Sequence, residues 1–212
     1  MKKFSLIIIS SFILINNFFF SNLQSEIINS IIVKVGESLV TSVDIQNEII
    51  TNLVINKQDI TQKSVNDNKS YAVKNLINKS IKISEINKYE IKNYNKKDLQ
   101  NYIENIAKNL DTNTNGLKEI FKQSNINYEM FVDRYKVELL WNTLIFQLYR
   151  NQININIVDV DNEIENIKDK KSEEEMEKIR EVILNQKKEE KLNLFSRSHF
   201  SNLENNIDIN FQ

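Results

Sequence analysis

The chain has 212 residues, 41% hydrophobic and 27% charged, a balance that supports a globular core and argues against disorder. Its 28 basic and 29 acidic side chains give a formal net charge of −1, without the basic excess that a phosphate backbone attracts, so nucleic acid is not an expected partner. Zero cysteines exclude disulfides, thiolate metal sites and a cysteine nucleophile, while two glycines and no proline argue against a hairpin-rich β fold.

Met1-Lys2-Lys3 is a basic start, followed by an apolar run over residues 4–15. Asn16-Asn17 interrupt it before Phe18-Phe19-Phe20, and the polar stretch Ser21-Asn22-Leu23-Gln24-Ser25 closes it. This is the layout of a secretory signal peptide over residues 1–25, with cleavage expected after Ser21 or Ser25. A spanning helix wants about 20 predominantly apolar residues. An uncleaved signal anchor is the alternative, and either way the remaining chain leaves the cytoplasm. Loss of residues 1–25 removes Lys2 and Lys3 and takes the net charge from −1 to −3.

Residues 30–41 read as two short strands around Gly36-Glu37. Thr41 and Asp44 then form a capping box for a helix carrying Ile45, Ile49, Ile50, Leu53 and Val54. Residues 56–68 are polar and read as loop. A second helix is predicted over 69–91, with Ala72, Val73, Leu76, Ile77, Ile81, Ile83 and Ile86 at three- and four-residue steps. A third is predicted over 98–110, and a short fourth, capped by Asn113 or Thr114, carries Leu117, Ile120 and Phe121. It ends at Ser124-Asn125, where Asn takes the left-handed conformation that Gly usually supplies.

The longest apolar helix is predicted over 127–151. One stripe holds Tyr128, Phe131, Val132, Tyr135 and Leu139; another holds Val137, Leu140, Trp141, Leu144, Ile145 and Leu148. Two stripes bury a helix on most sides, so this is the expected central helix, and its aromatics read as core rather than as a peptide-binding surface. Residues 153–157 alternate as a short extended segment, Asp159 and Asp161 open a helix to residue 168, and Asp169-Lys170-Lys171 read as a polar hinge. Ser172 caps a last long helix over 172–203, whose charged run at 187–191 reads as a solvated face. Residues 207–211 alternate as a strand with nothing local to pair with. Unpaired buried backbone is costly, so this strand is expected to join residues 31–41, bringing both ends of the mature chain into one sheet.

No catalytic constellation emerges. His199 is the only histidine, read as lying on a helix among polar neighbours, without a nucleophile or orienting carboxylate at a recognisable spacing. Zinc wants three or four ligands, which one His and no Cys do not supply. The acidic clusters Asp159/Asp161/Glu163 and Glu173-Glu174-Glu175 sit at helix starts, where carboxylates favour the macrodipole. Gly36 and Gly116 alone build no phosphate-cradling loop. No catalytic, metal or cofactor residue is therefore expected, and no substrate-binding residue is assigned.

The order of these elements resembles that of the SurA-type periplasmic chaperones, relatives of the parvulin peptidyl-prolyl isomerases. Residues 31–45, from Ile31-Ile32-Val33-Lys34-Val35-Gly36 to Thr41-Ser42-Val43-Asp44-Ile45, are similar to that family's strand, turn, strand and Thr-x-x-Asp helix start. Leu76-Ile77-Asn78-Lys79-Ser80 resembles its Leu-Ile helix. Asn125-Ile126-Asn127-Tyr128-Glu129-Met130-Phe131 is similar to its Gly-x-x-Tyr-x-x-Tyr/Phe segment, with Asn125 in place of Gly. Ile155-Asn156-Ile157-Val158-Asp159-Val160-Asp161-Asn162-Glu163-Ile164 resembles its strand and helix start leading out of the N-terminal region.

The resemblance implies a mainly α fold with a small sheet formed by N- and C-terminal strands, arranged as a signal peptide (1–25), a chaperone region (26–168) and a C-terminal helix and strand (169–212). It implies an ATP-independent periplasmic chaperone, without cofactors, that holds unfolded polypeptides, outer-membrane proteins among them. In that family one or two isomerase modules of ~100 residues follow the segment matching Glu163-Ile164. Here the last helix begins near Ser172, so the module is expected to be missing and the chain not to be an enzyme. The alternative is a membrane-tethered envelope scaffold or interaction protein, with membrane contact only if the N-terminal segment stays uncleaved.

Overall fold

The computed structural model describes residues 29–165 and 172–212, so the signal-peptide reading of residues 1–25 and the hinge at 169–171 lie outside the described residues. Strands β1 (Ile31–Val35) and β2 (Ser38–Thr41) run antiparallel, with Val35 opposite Ser38. The tight connection between them needs a left-handed residue, and Gly36 supplies it at φ +54°. The C-terminal strand β3 (Ile209–Phe211) pairs antiparallel with the other edge of β1, so the sheet order is β2-β1-β3. The two ends of the described chain meet in one sheet, as the orphan-strand argument requires. Val33, Val35 and Val40 point to one face and are buried against Leu76, Ile77 and Ile81.

Seven α-helices make up most of the described chain. Thr41 caps α1 (Ser42–Ile55): its hydroxyl accepts from the Asp44 N–H at 3.3 Å, and Asp44 Oδ2 accepts from the Thr41 N–H at 2.9 Å. The second helix, α2 (Gln62–Lys88), starts seven residues earlier than its apolar stripe predicts, and the loop expected over 56–68 shrinks accordingly. Its first turns are polar on nearly every side and show no period. Their signal is the cap: the Thr61 hydroxyl accepts from the Ser64 N–H at 3.1 Å. Glu90, left-handed at φ +54°, lies just past its end.

Helices α3 (Lys96–Asn109) and α4 (Thr114–Gln123) pack together around a shared core. Asn113 Oδ1 caps α4 by accepting from the N–H groups of Asn115 and Gly116, each at 3.0 Å. Asn125 is left-handed at φ +55°, the conformation its place after α4 predicts. Helix α5 (Tyr128–Tyr149) is central in the expected sense, because its two stripes enter different cores. Phe131 joins Phe121, Leu117 and Ala107 beneath α3 and α4, while Val137, Trp141, Leu144 and Ile145 pack with Ile86 of α2.

A 3-10 turn, Arg150–Gln152, precedes α6 (Ile157–Glu165). The alternating segment at 153–157 forms no strand. Asn156 instead starts α6, its Oδ1 accepting from the Val158 N–H at 3.1 Å, so the helix begins ahead of the two aspartates. The last helix, α7 (Glu173–Asn206), has 34 residues. Its first half packs on α6 through Ile183, Met176 and Ile179 against Val160 and Ile164. Its second half carries Leu192, Phe200 and Leu203 onto α5 and α2 before the chain enters β3.

Candidate functional site

The α1 helix is amphipathic in an unusual sense: part of its apolar surface stays uncovered. Leu53 and Ile49 are buried against Ala72 of α2, which fixes the two helices side by side. Outward from that contact, Ile45, Ile50, Val65 and Val73 line an open groove of about 670 Å³, bordered also by Ile32 of β1 and by Ile60. That volume falls in the range of ordinary ligand sites. The lining is mostly apolar, with Ser42, Gln46, Gln62 and Lys69 contributing its polar groups. A second groove of about 420 Å³ shares Gln46, Ile50 and Ile60 with the first and continues past Val43 to Met130 at the start of α5.

Ile60 borders both grooves and is 50% exposed, so the two join into one apolar surface of the kind that marks an interaction site. It lies in the turn between α1 and α2, where polar neighbours hide it in the sequence. Its only signal there is a single isoleucine inside a polar segment.

The acidic clusters at helix starts have partners that sequence spacing does not reveal. Asp161 accepts from Arg180 at 2.6 Å and Glu163 from Lys187 at 2.6 Å, tying α6 to α7. The charged run at 187–191 is thus a solvated face with one exception: Lys187 is half-buried, and its hydrogen bond to Glu163 raises its pKa. Ser172 caps α7 in a reciprocal box with Glu175.

His199 does not sit among polar neighbours. Its ring lies 5.6 Å from that of Trp141 and 5.8 Å from that of Tyr149. Nδ1 contacts the Tyr149 hydroxyl at 2.8 Å and Nε2 the buried Glu85 carboxylate at 3.2 Å. Trp141 Nε1 donates to Ser196 Oγ at 2.8 Å alongside. Both ring nitrogens are occupied by protein groups, so this cluster fastens α7 to α5 and α2. Burial, with Tyr89 and Glu85 nearby, pushes the Tyr149 phenol above its ordinary pKa. The residues that distinguish this arrangement from a lone surface histidine come from three helices, which no local spacing exposes.

Among the described residues no group of three or more His, Cys, Asp or Glu side chains could hold a metal ion, and no helix is long and apolar enough to cross a membrane. The aromatics of α5 divide: Phe131 and Trp141 are buried in the core, whereas Phe146 is 47% exposed.

No protein-family model and no curated protein matches the chain. Among solved structures it is similar to one of two structurally related SurA-like chaperones of the human pathogen Campylobacter jejuni, one a virulence factor and the other a periplasmic protein. That match has a TM-score of 0.40 and 17% identity, and covers 87% of this chain and 99% of the other.

Proposed function

We propose that the protein is an exported, ATP-independent chaperone of the SurA-like kind, which holds apolar segments of unfolded envelope proteins in the groove along α1. The observation that carries this reading is the groove itself: an open apolar depression edged by polar side chains and bordered by the half-exposed Ile60. Extended apolar segments gain from leaving water there, at about 25 cal/mol per Å² of apolar surface covered, without a cofactor or covalent step. The motifs at residues 31–45 and 125–131, and the sheet shared by the two ends, support the same family. The signal-peptide reading of residues 1–25 supports a periplasmic location, with outer-membrane proteins as clients.

In this reading residues 26–168 are the chaperone region, and the part at 169–212 carries α7 and β3, which return along it. The same reading takes the chain as a chaperone without an isomerase module. It is supported by the short interval between the end of α6 at Glu165 and the start of α7 at Glu173, against the ~100 residues such a module occupies.

Light scattering tests the proposal. An outer-membrane barrel protein is diluted from urea with and without the purified protein. Suppression of aggregation at near-stoichiometric ratio, where an inert protein has no effect, is the expected result. Unchanged aggregation across several clients sinks the chaperone reading and favours an envelope scaffold with a dedicated partner. A protease-coupled proline isomerisation assay is expected to show no catalysis.

A further inference from the structure

A second depression lies between α1, α2 and α5, away from the apolar groove, and its chemistry is different. Its volume is about 270 Å³. Tyr71 of α2, Tyr102 of α3 and Tyr135 of α5 give it aromatic walls, with Tyr102 and Tyr135 stacked at 3.6 Å between centroids. Five charged side chains line it: Lys79, Lys82, Arg134, Glu48 and Glu138.

Four of the five charges are spoken for. Glu48 is buried and its Oε1 accepts from Arg134 Nη1 at 3.0 Å and from Asn75 Nδ2 at 3.0 Å. Lys82 is ion-paired with Glu138. Lys79 remains. It is half-buried, and it makes no hydrogen bond or ion pair among the described residues. The lining therefore carries one uncompensated positive charge, in a protein whose formal net charge is −1. An ammonium without an ion-pair partner, set beside aromatic walls, favours an anion.

The neighbouring residue adds an independent requirement. Asn78 also lines the depression, and its Oδ1 is buried with no hydrogen-bond partner. An orphaned amide oxygen gains from any N–H donor that reaches it. A ligand suited to both residues presents a carboxylate next to an N–H, with an apolar or aromatic group for the tyrosines.

The last residue of a polypeptide has that combination: its carboxylate, its own amide N–H and its side chain. We infer that this pocket binds the free C-terminal residue of a polypeptide, with the carboxylate on Lys79 and the amide N–H on Asn78. The inference rests on the chaperone reading for the source of the ligand, a client chain end. It adds an end-reading site to a groove that reads only apolar character.

The test is isothermal titration of the purified protein with acetyl-Ala-Ala-Phe, carrying either a free carboxylate or a carboxamide at its end. The acid is expected to bind at least tenfold more tightly than the amide. Lys79→Met should abolish that preference and Lys79→Arg should keep it, with melting temperatures unchanged in both. Equal binding of acid and amide, no binding of either at millimolar peptide, or a preference that survives Lys79→Met overturns the proposal. Acetylphenylalanine binding as tightly as the tripeptide acid overturns the assignment to a polypeptide end in favour of a small acylated amino acid. The two proposals fail separately. Aggregation suppression without acid preference removes the pocket alone, and acid preference without aggregation suppression removes the chaperone reading alone.

Discussion

Val35 and Ile209 stand opposite one another on adjacent antiparallel strands, although 174 positions separate them in the sequence. Beside them the Gly36 N–H donates to the Asp208 carbonyl at 2.9 Å. The chain is closed by this contact, and α7 is held at its far end by the sheet as well as by its apolar face.

Deleting residues 207–212 should therefore cost more than trimming a loose tail. Val33 and Val35 lose cover, and β1 loses its second ladder. The expected loss is about 2–4 kcal/mol, from a few net hydrogen bonds at about 1 kcal/mol each and the apolar area exposed. Urea titration measures it. Hydrogen exchange at the Gly36 amide should accelerate in step, and an unchanged rate would refute the closure.

Phe121 fills the core under α3 and α4, fully buried and edge-on to Phe131 at 4.9 Å between centroids. Phe121→Ala should cost about 3–5 kcal/mol, the usual range for emptying a buried phenylalanine site. Phe211, 67% exposed on β3, is the control. Phe211→Ala should stay within about 0.5 kcal/mol of the parent, as exposed substitutions do.

The Glu48–Arg134 pair joins α1 to α5 with Asn52 and Asn75 around it. Arg134→Met strips the buried carboxylate of its charge partner and should destabilise by about 3 kcal/mol. The double variant Glu48→Met with Arg134→Met should recover most of that loss, because the desolvated charge is gone as well. A double variant no more stable than Arg134→Met would mean that the asparagine network, not the charge, sets the cost.

Ile60→Lys places a charge between the two apolar grooves at a residue already half in water. Stability should change by no more than about 0.5 kcal/mol. Aggregation suppression should fall several-fold in the light-scattering assay. Full suppression by the variant would move client binding away from α1.

Burial holds the Tyr102 phenol above the ordinary tyrosine range, with Arg134 opposing and Tyr135 and Glu48 adding to the rise. A phenol whose pKa is higher in the folded than in the unfolded state contributes stability that is intact below pH about 10 and lost as pH rises through the folded value. The alkaline limb of the unfolding curve should be flatter in Tyr102→Phe than in the parent. Ultraviolet titration of phenolate should show the same residue ionising late.

Much of the architecture is legible along the chain because it is local. The Thr41/Asp44 box, the Asn113 cap and the left-handed Asn125 are each decided within four residues, by side chains competing for backbone groups. The first turns of α2 are harder to read because a polar helix end has no apolar period, and the Thr61 cap is their marker. The apparent strand at 153–157 fails for the converse reason: alternation over five residues is too short to tell an extended segment from the entry to a helix. Even the sheet of the two ends follows from a local fact, since an isolated strand leaves backbone groups that only a distant partner satisfies.

The sites are another matter. Whether Ile50 is core or groove, whether Lys79 has a carboxylate within reach, and whether His199 meets water or Glu85 depend on side chains from helices far apart in sequence. Periodicity says which face of a helix is apolar. Only the packing of the helices around α5 says how much of that face is left uncovered, because exposure is what remains after every neighbour has taken its share.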